Sequence, residues 1–215
     1  MWRDARLMGF AAILCLAGCG PEKSSDPLDR GQEGDEVART EGEEDELTST
    51  MPRDRSETAK ARIEGRSGSN LSGEATFAQQ DGAVQLVVSL SNLDPGPHAV
   101  HIHEVGDCSA PDASSAGKHW NPRGEPHGKR GSESYHLGDI GNVEVGSDGT
   151  GSISLTAEDW SLVAGGGDDD PVGKAIVIHA KADDFETQPD GGGGEKIGCG
   201  VIQREAEAST PATEP

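Results

Sequence analysis

Short apolar runs, separated by glycine, asparagine, aspartate and proline, recur through the central and C-terminal parts of the chain. These runs cover residues 75–77, 83–90, 98–105, 141–145, 151–155, 175–180 and 199–202. No run has the length or the 3.6-residue period of an amphipathic helix. Short strands bounded by turn residues are typical of a sandwich or barrel. We therefore predict an all-β domain of about eight short antiparallel strands.

Two long segments, residues 106–138 and 183–198, interrupt this pattern of strands and turns. Loops of such length without secondary structure of their own are uncommon in a compact domain and are usually functional. We expect both to carry functional residues.

The first 19 residues have the features of an export signal. Arg3 and Arg6 precede an apolar run over residues 7–16, and Leu-Ala-Gly-Cys follows at 16–19. The run is too short for a membrane span. We predict a signal peptide over residues 1–18 and a lipidated Cys19 that anchors the protein to a bacterial membrane, in the periplasm or at the cell surface. The alternative is an ordinary signal peptide with an incidental cysteine.

Residues 20–60 hold 13 acidic and 6 basic side chains, including the block Glu-Glu-Asp-Glu at 43–46. Such a segment buries too little apolar surface to offset its conformational entropy. We predict a disordered acidic tether here and a disordered tail at 205–215. The alternative is an acidic arm that binds a partner or scavenges metal ions.

Residues 61–204 form the predicted domain, with 22 acidic and 10 basic side chains. This net charge of −12 argues against a nucleic-acid partner. Two cysteines, Cys108 and Cys199, remain once Cys15 leaves with the signal and Cys19 is lipidated. In an exported protein they predict a disulfide bond. The alternative is two free or metal-binding thiols.

His101 and His103 are two residues apart in an apolar run. Side chains on a strand alternate between its faces, so both imidazoles leave the same side of the sheet with Cα atoms about 6 to 7 Å apart. A lone His-x-His is a weak signal. All seven histidines, however, lie between positions 98 and 179. A structural β-sandwich with incidental histidines would instead predict histidines scattered along the chain.

A second candidate set consists of three histidines within the first long segment and the aspartate directly after it: His119, His127, His136 and Asp139. Three imidazoles and a carboxylate suit tetrahedral Zn²⁺, and four protein ligands are typical of a structural zinc site. The further imidazoles of His101, His103 and His179 are of the type that Cu²⁺ favours.

Several motifs in order resemble the copper/zinc superoxide dismutases of bacteria, over about residues 61–204. They are residues 97–107, Cys108, His-Trp-Asn-Pro at 119–122, His-Leu-Gly-Asp-Ile-Gly-Asn-Val at 136–143, and Ile-His-Ala-Lys-Ala-Asp-Asp at 178–184. The resemblance implies a Greek-key barrel. It also implies copper ligands at His101, His103, His119 and His179, and zinc ligands at His119, His127, His136 and Asp139. His119 would then be an imidazolate bridge between the two metals.

The resemblance assigns further roles outside the ligand sets. Asp183 matches an aspartate that hydrogen-bonds one copper ligand and one zinc ligand, here predicted to be His101 and His127. His98 matches a structural histidine that holds a loop.

Lys196 marks a departure from the family pattern. The family usually has an arginine there, three residues before the last cysteine, where it guides and holds superoxide. Lysine keeps the charge but loses the planar two-pronged donor. We expect a reduced rate or altered anion sensitivity, and we expect Lys181 or Lys129 to complete a positive funnel with Lys196.

The resemblance implies dismutation of superoxide to oxygen and hydrogen peroxide, with His119 releasing copper and taking a proton during the cycle. The alternative is an envelope-anchored copper- or zinc-binding module that buffers or delivers metal without turnover. The sequence leaves the choice between monomer and homodimer open.

Overall fold

The structure, a computed structural model, describes residues 57–205. The predicted signal peptide, Cys19, most of the predicted tether and nearly all of the predicted tail lie outside the described residues. Within residues 57–205, no helix has the length and apolar character needed to cross a membrane.

The described chain is all-β, as predicted. Its strands are β1 Thr58–Gly65, β2 Ser72–Gln80, β3 Ala83–Ser91, β4 Gly96–His103, β5 Asp139–Val145, β6 Gly151–Ala157, β7 Ala175–His179, β8 Lys196–Val201 and β9 Gln203–Arg204. The one helical element in this part of the chain is a single 3₁₀ turn, Ser114–Ala116.

The strands form one closed antiparallel barrel. The neighbour order is β2-β3-β6-β5-β4-β7-β8-β1, and β1 also pairs with β2, which closes the barrel with eight strands. The short β9 pairs with β1. The crossings from β3 to β4 and from β6 to β7 give the Greek-key connectivity that the resemblance implied.

Period-two alternation fills the barrel with apolar side chains. In β3, Val84, Leu86 and Val88 are buried while Gln85 and Val87 between them are exposed. The inward faces of the strands form one core, capped by Trp160 and Leu162 from the connection over residues 158–174. Such burial stabilises the fold by about 25 cal/mol per Å² of apolar surface.

Strands β4 and β7 depart from this alternation because both of their faces are buried. Val100 and Ile102 of β4 face the core, as does Ile178 of β7. The opposite face carries His101 and His103 and is covered by residues 104–138 and 180–195, the long connections after β4 and β7. A buried face lined with histidines is therefore created between the barrel and these two loops.

The predicted disulfide is confirmed. Cys108 and Cys199 are bonded, with Cα atoms 5.8 Å apart. The bond fastens the first long loop to β8, and Arg66 reinforces this by donating from Nε to the Cys108 carbonyl at 3.0 Å.

Strand β1 has no counterpart among the predicted strands, and it begins three residues before the predicted domain start at position 61. Its buried positions include Ala59, Ala61 and Ile63, and the positions between them carry charged side chains. Alanine is a weak apolar signal, so the alternation is easily missed next to an acidic segment.

Candidate metal centre

The outer face of β4 and β7 brings three of the predicted ligand residues together. The two strands are antiparallel, with His101 opposite Val177 and His103 opposite Ala175. His179 follows at the end of β7, on the same face as Val177. One nitrogen from each of His101, His103, His119 and His179 lies within 4.8 Å of the others, and all four residues are buried.

His119 reaches this cluster because its loop is bonded to β4 through the backbone. Trp120 N donates to Ile102 O and Ile102 N donates to Gly138 O, each at 2.8 Å, while Gly138 N donates to Trp120 O at 2.9 Å. These bonds place the middle and the C-terminal end of the long loop against one residue of β4. Only glycine fits at position 138, because a Cβ there would collide with the Ile102 carbonyl.

The second predicted set forms an adjoining cluster around Asp139, the first residue of β5. Asp139 Oδ1 lies 3.0 Å from His119 Nδ1 and 3.4 Å from His136 Nδ1, and Oδ2 lies 3.0 Å from His127 Nδ1. His119 Nδ1 and His136 Nδ1 are 3.4 Å apart. Four ligands about 2.0 Å from a tetrahedral Zn²⁺ would be roughly 3.3 Å from one another, so the donor set fits this ion.

Five buried nitrogens in the two clusters have no hydrogen-bond partner. They are His101 Nδ1, His103 Nε2, His119 Nε2, His127 Nδ1 and His179 Nε2. His127 Nδ1 approaches Asp139 in a geometry that forms no hydrogen bond. Buried polar atoms are normally satisfied, and each orphan costs about 1 to 3 kcal/mol. Four of these orphans lie together in the first cluster and His127 Nδ1 lies in the second, so both clusters are candidate metal sites.

Asp183, in the second long loop, lies between the two clusters. Its Oδ2 accepts from His101 Nε2 at 2.8 Å and its Oδ1 accepts from His127 Nε2 at 2.9 Å. A carboxylate only accepts, so both rings carry their proton on Nε2 and leave Nδ1 for a metal. Asn142 holds Asp183 in place, donating to its carbonyl at 2.9 Å and accepting from its N–H at 2.7 Å.

Comparison with known proteins agrees with this arrangement. The family described as copper/zinc superoxide dismutase (SODC) matches residues 71–202. The chain belongs to the copper/zinc superoxide dismutase family.

Two curated relatives illustrate the range of the family. The superoxide dismutase-like protein YojM of Bacillus subtilis (strain 168) is 32% identical over 201 residues, which cover 91% of this chain and 94% of that protein. The superoxide dismutase [Cu-Zn] of Onchocerca volvulus is 35% identical over 146 residues, which cover 63% of this chain and 90% of that protein. The two buried clusters are consistent with the copper and zinc sites of this dismutase family.

Backbone carbonyls orient two further imidazoles of the first cluster. His103 Nδ1 lies 2.9 Å from Gly117 O, and His179 Nδ1 lies 3.2 Å from Gly194 O. Carbonyls accept, so the protons of both rings sit on Nδ1 and Nε2 is directed into the cluster. His98 lies outside both clusters, with Nδ1 3.0 Å from His179 O and Nε2 2.9 Å from Asp94 O.

Burial keeps three histidines of the first cluster, His103, His119 and His179, neutral near pH 7. Desolvation lowers the pKa of His119 to about 4; the hydrogen bond that His119 donates to Asp139 opposes this and His101 adds to it. Burial and the neighbouring His101 lower the pKa of His179 to about 3. The pKa of His103 is also well below its ordinary value, chiefly because of burial. Neutral imidazoles are the form that binds metals.

The carboxylates of the site are held in their charged form. Burial raises the pKa of Asp139, but the contacts of its carboxylate with His119, His127 and His136 outweigh this effect and keep the pKa far below its ordinary value. Hydrogen bonds from His101 and His127 likewise lower the pKa of Asp183 against the effect of burial. Burial also lowers the pKa of His127, yet its contacts with both carboxylates raise it to about 9.

A cavity of about 400 Å³ opens onto the first cluster. His103, His119 and His179 form its inner wall, and Lys196 and Lys118 line it as well. One expectation needs a correction: Lys181 and Lys129 do not line this cavity. Lys118, which does line the cavity, was not predicted from the sequence. It directly precedes His119, and the β-bridge between His103 and His119 fixes the backbone at this point.

Glu104 and Asp190 also line the cavity, so its entrance carries both signs of charge. The positive field there is consequently weaker than two lysines alone would produce.

Two residues that the sequence reasoning missed hold the second cluster from outside. Gln188 makes a reciprocal pair with the backbone of His127, accepting from its N–H and donating to its carbonyl, both at 2.8 Å. Arg130 donates to the Asp139 carbonyl at 2.9 Å. Nothing in their sequence context signals these contacts, because both depend on the path of the loops.

Proposed function

We propose that this protein is an active superoxide dismutase that converts two superoxide ions and two protons to oxygen and hydrogen peroxide. The observation that supports this most directly is the convergence of four orphaned imidazole nitrogens in the first cluster, beside a second cluster around Asp139 that shares His119. A protein that only buffers metal ions has no need of a shared histidine.

In this proposal the two clusters bind different metals. Copper would be held by His101, His103, His119 and His179, and zinc by His119, His127, His136 and Asp139. Copper, when bound, supplies the one-electron chemistry by alternating between Cu²⁺ and Cu⁺. Zinc has no redox chemistry, and its four protein ligands fit a structural role.

The protein's own groups would manage protons and the approach of the anion. His119 Nδ1 faces Asp139, whereas His119 Nε2 faces the first cluster and the cavity. Nε2 is thus the atom at which a proton would be held and passed to the second superoxide. Lys196, on the cavity wall, would attract and hold the anion against the net negative charge of the domain.

The proposed location is the bacterial cell envelope. A lipidated Cys19 and an extended acidic segment over residues 20–56 would hold the barrel off the membrane surface. This part of the proposal rests on the export signal and the Leu-Ala-Gly-Cys motif at 16–19. Globomycin-sensitive processing, together with labelling of Cys19 by a palmitate analogue, would test it, and a secreted unlabelled product would contradict it.

The experiment that tests activity compares two preparations of the chain over residues 20–215, one loaded with copper and zinc and one with zinc only. Free copper at the same concentration is the control without protein. We expect fast turnover only with both metals. Tight binding of both metals with turnover no better than that of free copper would favour the metal-buffer function instead.

A further inference from the structure

Arg130 lies in the first long loop, between His127 and His136 in the sequence, and its side chain turns inward. Only 14% of the side chain is exposed. Its guanidinium donates from Nε to Asp139 O at 2.9 Å, from Nη2 to Leu137 O, and from Nη1 to Asp159 Oδ1 at 2.6 Å. All three guanidinium nitrogens of Arg130 therefore donate a hydrogen bond.

Two aromatic rings and a shared carboxylate fix the direction of this fork. The guanidinium carbon lies 5.1 Å from the centre of the Tyr135 ring and 4.7 Å from that of Trp160. Tyr135 donates its hydroxyl to Asp159 Oδ2 at 3.0 Å, and Trp160 Nε1 donates to Leu137 O at 3.0 Å. Arg130 is therefore anchored to the barrel side of the loop, through Asp159 and Trp160.

The carbonyls that Arg130 binds belong to the short segment 136–139, which carries two members of the second cluster. The Asp139 carboxylate accepts the His136 N–H at 2.8 Å and the Gly128 N–H at 3.2 Å through Oδ2. The side chain of Asp139 is thus fixed from inside the loop, and its backbone is fixed from outside by Arg130.

We propose that Arg130 is a positioning residue for the zinc site: it holds the backbone of residues 137–139 so that His136 and Asp139 present their donor atoms before the metal arrives. The inference rests on the proposed zinc assignment of these ligands. Residues that orient metal ligands typically change metal affinity 10- to 100-fold when replaced. Lysine cannot reproduce the role, because a single ammonium lacks the planar fork that reaches two carbonyls and a carboxylate.

The test compares Arg130→Lys with a matched control, Arg123→Lys, in the full chain. Arg123 also contacts Asp159, at 3.7 Å, but its side chain is 50% exposed. Zinc affinity is measured by chelator competition, and Co²⁺ substituted into the zinc site reports ligand geometry through its visible spectrum. Copper affinity is measured in parallel, and unfolding of the metal-free protein in urea is followed for each variant.

We expect Arg130→Lys to weaken zinc binding about 10- to 100-fold and to alter the Co²⁺ spectrum, with copper affinity within about threefold of the parent. Arg123→Lys should match the parent. If Arg130→Lys does not fold, Asp159→Asn, which loosens the hold on Arg130, should weaken zinc binding about three- to tenfold.

Unchanged zinc affinity in a less stable Arg130→Lys protein would overturn the inference, since the residue would then serve the fold alone. Equal losses of zinc and copper affinity would also overturn it, because they indicate general loosening. These readouts do not use dismutation. A protein with Arg130-dependent zinc binding but no turnover would contradict the proposed function and leave this inference standing.

Discussion

Lys196 and His103 are linked through one acceptor: the carbonyl oxygen of Gly117 lies 3.0 Å from Lys196 Nζ and 2.9 Å from His103 Nδ1. The same oxygen thus sets the tautomer of a proposed copper ligand and holds the cation at the cavity wall. Lys196 is half-buried in this position. One of the three N–H donors of its ammonium binds the Gly117 carbonyl, so two remain for an anion.

The first prediction concerns the lysine that replaces the family's usual arginine. Arginine has five donors in a rigid fork, so it can bind the Gly117 carbonyl and still present a paired donor to superoxide. We expect Lys196→Arg to raise the second-order rate constant on the order of two- to tenfold, and Lys196→Gln to lower it by a similar factor. Pulse radiolysis over a range of salt concentrations measures both effects.

Lys118→Arg is the control, because Lys118 lines the same cavity without this bond to Gly117 in the described structure. It should leave the rate within about twofold. Equal rates and equal anion sensitivity for the parent and Lys196→Arg would show that the lysine orients superoxide as well as arginine does.

The second prediction is a pH dependence. Burial lowers the pKa of Lys196 below the ordinary 10.5, while Asp112 and Asp190 oppose the shift. A lysine with a lowered pKa loses its charge earlier as pH rises. The rate of the parent should therefore fall at a pH below 10.5, whereas Lys196→Arg should keep its rate through the same range because arginine stays charged. Coincident pH profiles of the two proteins would assign the decline to another group.

Most of the fold could be predicted from the sequence because strands and turns leave local patterns, whereas the membership of the two histidine clusters came from the family resemblance. Alternation on β4 is enough to place His101 and His103 on one face, whatever the rest of the chain does. The position of β1 was missed because Ala59 and Ala61 fill its buried positions with little apolar signal.

Contacts made by irregular loops were not predictable from the sequence in the same way. Arg130 and Gln188 form hydrogen bonds with backbone atoms. Every residue has the same backbone atoms, so the sequence gives no sign of such a contact. Lys181 and Lys129 were plausible cations for the cavity by their nearness to ligands along the chain, yet Lys118 lines it. The long-range backbone hydrogen bonds among Ile102, Trp120 and Gly138 set the path of the first long loop, and that path decides where its side chains point.

The third prediction concerns acid stability of the metal-free, disulfide-bonded protein. The pKa of His119 is about 4 and that of His179 about 3 in the folded protein, against about 6.5 when unfolded. Between pH 6.5 and about 4 the unfolded chain therefore binds more protons, so stability falls as pH falls. We expect the free energy of unfolding to drop by on the order of 1 to 2 kcal/mol per pH unit in this window.

Urea unfolding at several pH values between 4.5 and 7.5 measures this slope. His179→Gln removes one of the histidines whose pKa is lowered and should give a shallower slope. A free energy of unfolding that stays constant across the window would mean that the buried imidazoles accept protons without penalty.

The fourth prediction concerns the disulfide bond. Cys108 and Cys199 are 91 positions apart, and closing a loop of that length stabilises the folded state by about 4 to 5 kcal/mol on the chain-entropy model. We expect the double variant Cys108→Ser, Cys199→Ser to lose free energy of unfolding of about this size in urea. Because Cys108 belongs to the loop that supplies the Gly117 carbonyl, copper affinity should also fall. A variant with unchanged copper affinity would show that the loop holds its position without the bond.

The last prediction tests the link that Asp183 makes between the two clusters. Both His101 Nε2 and His127 Nε2 donate to this carboxylate. An asparagine offers one carbonyl oxygen and one NH₂ group, and the NH₂ group cannot accept. In Asp183→Asn, one of the two rings must therefore lose its partner and turn away. The two rings belong to different clusters. A change at this single residue, outside both ligand sets, should therefore lower the affinity for at least one metal by about 10- to 100-fold.

Chelator competition for copper and zinc measures this effect, and Asp184→Asn is the matched control. Asp184 is the next residue and is exposed, and its Oδ2 accepts from the Thr187 hydroxyl at 2.6 Å. Its replacement removes the same charge from the same loop without touching a ligand. Equal losses in the two variants would assign the effect to loop charge. A loss confined to Asp183→Asn would assign it to ring orientation, and the metal that is weakened would identify which histidine the asparagine releases.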